Sequence, residues 1–246
     1  MSEQSNKVAI VTGGSRGIGA AVAERLAQDG FTVVINYAGN VAEAERLAAK
    51  LQQAGGKVLT AKADVGDPAA VKGMFDAAEA AFGGVDVLVN SAGIMHLATL
   101  ADATDELIDS HLRINLKGAI NTAREASRRL REGGRIINLS SSQVGLLHPT
   151  YGIYVATKAG VEAMTRVLSK ELRGRNITAN VVAPGPTATG LLLEANTKEN
   201  LERLRMAAPL ERLGQPQDIA RVVAFLAGPD GAWINGQVLR ANGGII

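Results

Sequence analysis

The chain has 246 residues, 46% of them apolar and 20% charged, which is ample for one substantial hydrophobic core. Its 26 basic and 24 acidic residues leave a formal charge of +2 and are scattered along the chain, an arrangement that argues against a nucleic-acid partner. The chain has no cysteine, and His96, His111 and His148 stand at no zinc-motif spacing, so disulfides and thiolate metal sites are excluded and no structural metal is expected.

Short β-branched runs alternate with helical segments. Strands are expected at residues 8–11, 32–35, 57–63 and 85–90, with helices at 18–29, at 42–54 and after Pro68. Asp67 and Pro68 form an N-cap and N1 pair that starts the third helix. A long helix is expected from 104 to 130, with Asp105 and Glu106 in its first turn and Arg128, Arg129 and Arg131 at its end, charges that suit the helix dipole. Then follow a strand at 135–139, a helix at 152–172 and a strand at 177–182. A weakly patterned segment of about 187–207 reads as a mobile lid, before a helix near 216–227 and a last strand at 237–240. The strands lack polar alternation, as strands covered on both faces do, so the expected fold is α/β. It would be a single Rossmann-type doubly wound parallel sheet flanked by helices on both faces. No linker, charge block or repeat divides residues 1–246, and one domain is expected. The first residues lack a signal-like pattern and no stretch approaches 18 uninterrupted apolar residues, so a cytoplasmic protein without a membrane partner is expected.

Directly after the first strand stands Thr12-Gly13-Gly14-Ser15-Arg16-Gly17-Ile18-Gly19, and a helix follows at once. Glycines let the backbone turn tightly and approach a pyrophosphate, while the unpaired N–H groups and dipole of the helix favour its charge. The string alone also fits a bare strand–helix turn. No acid stands about 20 residues on, where one would bind a ribose 2′-hydroxyl and repel a 2′-phosphate; the second strand ends Asn36-Tyr37 instead. With Arg16 in the loop, NADP(H) is favoured and NAD(H) stays possible, the alternative for Arg16 being a solvated loop arginine.

Tyr154 and Lys158 stand four apart on one helix face, where the ammonium and the positive charge of an oxidised nicotinamide would both favour tyrosinate and suit Tyr154 to proton transfer at a carbonyl or alcohol carbon. Tyr151 is a built-in control, because position 155 is Val. Three serines, Ser140, Ser141 and Ser142, end the preceding strand and could supply a hydroxyl to hold the substrate oxygen.

These strings resemble the short-chain dehydrogenase/reductase family over almost the whole chain: the loop at 12–19, Asp64-Val65, Asn90-Ser91-Ala92-Gly93, Asn115, Ser140-Ser141-Ser142, Tyr154 with Lys158, Pro184-Gly185-Pro186-Thr187-Ala188-Thr189, and Asn242-Gly243-Gly244. The resemblance implies a catalytic set of Ser141, Tyr154, Lys158 and Asn115. It places the cofactor against Gly13, Ser15, Arg16, Gly17, Ile18, Gly19, Asn36 and Tyr37 at the adenosine and phosphate end. Asp64 would meet the adenine amino group and Val65 its ring, an Asx-turn being the alternative for Asp64. Asn90, Ala92 and Gly93 would face the cofactor from the fourth strand, and Pro184, Gly185, Thr187 and Thr189 would face the nicotinamide end, with Tyr154 and Lys158. Alignment on the strand end selects Ser141, and alignment on Gly145 selects Ser142. Asn115 would help hold a water behind Lys158. His96, His148, Tyr151 and Ser142 are expected near the substrate. The implied activity is reversible hydride transfer between NADP(H) and a carbonyl or alcohol, 3-ketoacyl carrier-protein reduction being one subtype, in a homotetramer or homodimer. A silent NADP(H)-binding sensor or scaffold is the alternative from another class. A fold relative used for dehydration or epimerisation is a third.

Overall fold

A computed structural model describes residues 7–194 and 196–246. Residues 1–6 of the expected domain and position 195 of the expected lid lie outside the described residues.

Seven strands, of which β1, β2, β4 and β6 are almost wholly buried, form one sheet: β1 (Val8–Thr12), β2 (Thr32–Tyr37), β3 (Val58–Lys62), β4 (Val85–Asn90), β5 (Leu130–Leu139), β6 (Thr178–Pro184) and β7 (Val238–Ala241). Their order is β3-β2-β1-β4-β5-β6-β7, and every pairing is parallel. Crossover helices therefore cover both faces, as parallel pairing requires.

One core packs helices α1 (Gly17–Gln28), α2 (Val41–Gln53) and α10 (Pro216–Ala227) on the sheet through Leu26, Leu47, Val223 and Leu226. The opposite core brings α3 (Pro68–Phe82), α5 (Gly118–Arg129) and α7 (Gly152–Glu171) against it through Phe75, Ala123 and Leu168. Each fully buried Leu, Ile or Phe contributes about 1.5–3 kcal/mol, so these two cores supply the rigidity on which the loops at the strand ends depend. Helix starts are set by local chemistry. Asn40 caps α2 and Asp67 caps α3, with Pro68 in its first turn. Thr104 caps α4 (Asp105–His111), and the Asp67–Pro68 reading stands as expected.

Two local expectations are corrected, and the lid segment gains detail. The helix expected over 104–130 is three pieces: α4, a π-helical turn Leu112–Lys117, and α5, which stops at Arg129. Gly118 stands at the join, where a Cβ would sit 2.6 Å from the Val65 side chain. The basic residues at its end serve tertiary pairing rather than the dipole alone: Arg129 bonds Asp76, Glu79 and Glu125, and Arg131 bonds Asp86. Strand β5 begins at Leu130, five residues early, because Leu130 pairs with Val85 across a bulge. The expected lid holds two helices, α8 (Gly190–Glu194) and α9 (Lys198–Ala207), the latter capped by Thr197. The short α6 (Gln143–Leu146) follows β5. No helix among the described residues is long and apolar enough to cross a membrane.

Candidate active site

The strand order reverses between β1 and β4, and a cleft of about 800 Å³ opens over their C-terminal ends, the usual ligand position in an open parallel sheet. Gly13 and Gly17 have φ of 60° and 55°, which only glycine adopts freely. A Cβ on Gly13 would lie 2.9 Å from the Ala92 backbone, and one on Gly19 would lie 2.2 Å from the Gly13 carbonyl oxygen. The loop therefore lies tightly between β1 and β4. Unlike α2, α3 and α4, helix α1 has no side-chain cap, since Arg16 stands at its N-cap position. Its first N–H groups face the cleft without a protein acceptor from that position, and the exposed Arg16 has no ion-pair partner among the described residues. Uncapped amides, an adjacent free cation and glycines that give close backbone access fit a dinucleotide diphosphate.

At the far end of the cleft, Asp64 makes the Asx-turn considered for it and an ion pair that was not. One carboxylate oxygen accepts from the Gly66 amide at 2.8 Å, an Asx-turn, and the other pairs with Arg113. Burial acts against the charged carboxylate, but Arg113 and the Gly66 amide outweigh it and hold its pKa below the usual value. Gly66 makes room for this pair, for a Cβ there would meet the guanidinium at 2.6 Å. Arg113 is thus a cleft residue that sequence reasoning missed; its partner lies 49 residues away, and nothing local signals the contact.

At the other end, Tyr154 and Lys158 project from one face of α7, with the Lys158 ammonium 5.7 Å from the Tyr154 ring centre. The buried ammonium donates to the Leu139 carbonyl at 2.9 Å. Burial pushes the Tyr154 hydroxyl up to about 12, with a hydrogen bond to Ser141 acting the other way, and pulls Lys158 down to about 8. In the protein alone desolvation dominates, so the downward shift expected of Tyr154 is not present without the nicotinamide charge.

The three serines have separate duties. Ser140 donates to Glu162 at 2.6 Å. Ser142 is buried, donates to the Ala183 carbonyl and accepts from Asn242. Ser141 alone of the three acts on the Tyr154 hydroxyl, lowering its pKa against the burial, and its oxygen accepts from the Gln143 amide at 3.2 Å. Asn115 lies in the π-helical turn, where its side chain accepts from the Ile94 amide and donates to the Ile94 carbonyl, as a neighbouring strand would. Beneath Lys158 a polar cavity of about 10 Å³, walled in part by Thr12, Asn90, Asn115 and Asn138, has room for a single water.

Residues 13–246 match a family profile described as "Enoyl-(Acyl carrier protein) reductase". An NADPH-dependent aldehyde reductase-like protein of Arabidopsis thaliana, described as chloroplastic, is 45% identical over 98% of this chain and 95% of its own length. The chain belongs to the short-chain dehydrogenase/reductase family. It is accordingly an NAD(P)-dependent oxidoreductase by family. NADPH-dependent aldehyde reductase 2 of the same plant is 46% identical over 98% of this chain and 94% of its own. The crystal structure of a Burkholderia cenocepacia short chain dehydrogenase in complex with NADP superposes with a TM-score of 0.94, at 38% identity and 98% coverage of each chain.

With the family in hand, the expected site residues sort plainly. Those assigned to the cofactor line the main cleft, with the exception of Asn90. The Asn90 amide is instead part of a buried ladder: it donates to Asn138, accepts from Thr122, and Asn138 donates in turn to Thr165 on α7. Thr12 abuts this ladder and accepts from the Ser91 and Ala92 amides. Asn36 lines the cleft, but its side chain is committed to the protein, accepting from the Gly13 amide and donating to the Ala61 and Ala63 carbonyls. Asn115 faces the small cavity rather than the cleft. Of the residues expected near substrate, Tyr151 and Ser142 line the cleft, whereas His96 and His148 are exposed outside it. The backbone amide of His96 instead donates to the buried His111 ring at 3.1 Å, and His148 sits edge-on to Tyr151.

Proposed function

We propose that the protein reduces aldehydes or ketones with NADPH, Tyr154 donating the proton and Ser141 holding the substrate oxygen. The observation that carries this reading is the convergence of Ser141, Tyr154 and Lys158 on one end of a cleft whose other end is the uncapped start of α1. When bound, the nicotinamide supplies the hydride. Ser141 and Tyr154 place two hydroxyl donors where an alkoxide charge develops, and that charge costs least where donors are already oriented. The high pKa of Tyr154 keeps it protonated, the form that reduction consumes, and the Lys158 ammonium beside it stabilises the phenolate left afterwards. Asn115 fixes the Ile94 backbone and walls the small cavity next to Lys158, from which a proton can be restored. The intact trio of Ser141, Tyr154 and Lys158 speaks against a silent NADP(H)-binding sensor.

Cofactor preference is expected to follow charge. The unpaired Arg16 and the capped start of α2 at Asn40 border the cleft beside Tyr37, and β2 ends without an acid that would repel a 2′-phosphate. Initial rates against a panel of aldehydes and ketones should give at least about tenfold higher kcat/KM with NADPH than with NADH, a difference of about 1.4 kcal/mol. Arg16→Ala should erase most of that ratio by raising KM for NADPH alone. Equal efficiency with both cofactors would sink the preference.

The serine assignment is separable in the same assay. Ser141→Ala is expected to lower kcat by roughly 10²-fold, the usual loss for one oriented donor. Ser142→Ala, which breaks the Ala183 and Asn242 bonds, should act mainly on stability, lowering it by about 1 kcal/mol. The reverse pattern would transfer the role to Ser142.

A further inference from the structure

Among the described residues, three side-chain hydrogen bonds join α7 to the end of β5, and they fall on consecutive residues there. Asn138 Nδ2 donates to Thr165 Oγ1 at 2.8 Å, the Leu139 carbonyl accepts from Lys158, and Ser140 donates to Glu162. The next residue is Ser141. The three ties differ in stiffness. Lys158 hangs on a four-carbon stem that can follow a shift of the helix, and Glu162 is only half-buried. Asn138 and Thr165 are fully buried and short, and Thr165 is β-branched and stiff at χ1. Their neighbours fix the direction of the bond. The single hydroxyl proton of Thr165 goes to the Val161 carbonyl at 2.6 Å, so its oxygen accepts from Asn138. The Asn138 carbonyl oxygen is taken by Asn90, whose own oxygen accepts from Thr122. A buried network satisfied in this way specifies one arrangement of the elements it joins.

Lys158 and Thr165 lie on one buried face of α7, roughly 10 Å apart along its axis. Ties at both points hold the helix against sliding and tilting on the sheet. We infer that Thr165 is a positioning residue for the carbonyl reduction: through Asn138 it keeps α7 in register with β5, so that Tyr154 and Ser141 meet the same substrate oxygen. This rests on the carbonyl-reductase reading above and deepens it. Thr165 lines neither the cleft nor the small cavity, so its effect passes through the helix. A misplacement of about 1 Å between reacting groups can cost about 10²-fold in rate, even when its cause lies far from the chemistry.

The test uses the full chain with NADPH and the best substrate of the aldehyde and ketone panel, assayed well below each variant's thermal midpoint. Thr165→Val keeps the shape and removes the acceptor, and Thr165→Ser keeps the hydroxyl. Thr122→Val removes a buried hydroxyl from the other end of the same ladder, on α5. Thr165→Val is expected to lower kcat at least about tenfold, with the calorimetric Kd for NADPH within about threefold of wild type. Thr165→Ser should bring kcat back to within about threefold, and Thr122→Val should keep it there although both valine variants lose a few degrees of thermal midpoint. Thr165→Cys, a weaker acceptor, is the second variant where valine does not fold, and should lower kcat by at least about threefold. A wild-type kcat in Thr165→Val, or in Thr165→Cys where valine does not fold, overturns the inference. So does an equal loss of kcat in the two valine variants, a loss that serine does not recover, or a matching rise in the Kd for NADPH. Failure of both Thr165→Val and Thr165→Cys to fold would make the hydroxyl a structural prop and overturn it equally. If the wild type reduces no member of the panel, the carbonyl-reductase reading itself fails and this inference with it; panel turnover that Thr165→Val leaves unchanged defeats the Thr165 inference alone.

Discussion

Tyr154→Phe is expected to lower kcat for NADPH-dependent carbonyl reduction by about 10³-fold or more, while titration calorimetry still detects NADPH binding. The substitution removes one oxygen and leaves the ring that packs beside Lys158 and Tyr151. What disappears is the proton donor and one of two hydrogen bonds to the developing alkoxide, effects that individually amount to about 10²–10⁴ in rate. The pH profile gives an independent reading. Because burial holds Tyr154 at about 12, the protonated form persists across the neutral range, and this ionisation should leave the reduction rate unchanged until strongly alkaline pH. Alcohol oxidation consumes the phenolate and should climb with pH over the same interval. A Tyr154→Phe protein retaining a tenth of wild-type turnover would remove Tyr154 from the chemistry.

Lys158→Met is expected to abolish measurable turnover and, at neutral pH, to stabilise the fold. Its ammonium is buried, and desolvation lowers its pKa from 10.5 to about 8. The sign follows from proton uptake. Between pH 8 and 10.5 the unfolded chain holds a proton on this lysine that the folded chain has shed, so wild-type stability attributable to Lys158 rises with pH through that window. Below pH 8 the folded protein bears the full cost of the buried charge. Replacement by methionine removes that cost, about 3 kcal/mol, and forfeits the bond to the Leu139 carbonyl, about 1 kcal/mol, for a net gain on the order of 2 kcal/mol. Denaturant midpoints should therefore favour the variant most at pH 6–7, meet at about pH 9.5 and favour the wild type slightly by about pH 10.5. A variant less stable than wild type at every pH would show that the lysine is a structural tie instead of a destabilising functional group. This is a trade of stability for activity located in one side chain.

How much of this was legible beforehand depended on how far apart the partners lie. The glycine loop and the Tyr154–Lys158 pair could be read from spacing because a strand–helix turn and one helical turn fix their geometry locally. The parallel sheet followed from strands without polar alternation. The Arg113–Asp64 pair, the Asn90–Asn138–Thr165 ladder and the Asn242–Ser142 bond could not be read in this way. Each joins residues from different elements whose proximity exists only once the sheet order is known. The π-helical turn had one available signal, Gly118 within an apparent helix, which marks the close approach of Val65. The upward pull on Tyr154 in the protein alone could not be read from its spacing to Lys158, because desolvation depends on burial.

The reversal of strand order between β1 and β4 has a kinetic side. The Val8 amide and the Asp86 carboxylate, which meet at the base of that pair, are 78 residues apart. Long sequence separation slows pairing, since chain entropy must be surrendered before any contact compensates for it. The seam that forms against the largest separation among the paired strands is therefore also the one a dinucleotide bridges. A cellular pool of cofactor near a hundredfold above its dissociation constant would stabilise the native state by about 2.7 kcal/mol. In such a pool, starvation for the nucleotide would act on the amount of enzyme as well as on its rate, exposing the chain to unfolding and proteolysis at the same place where it otherwise works.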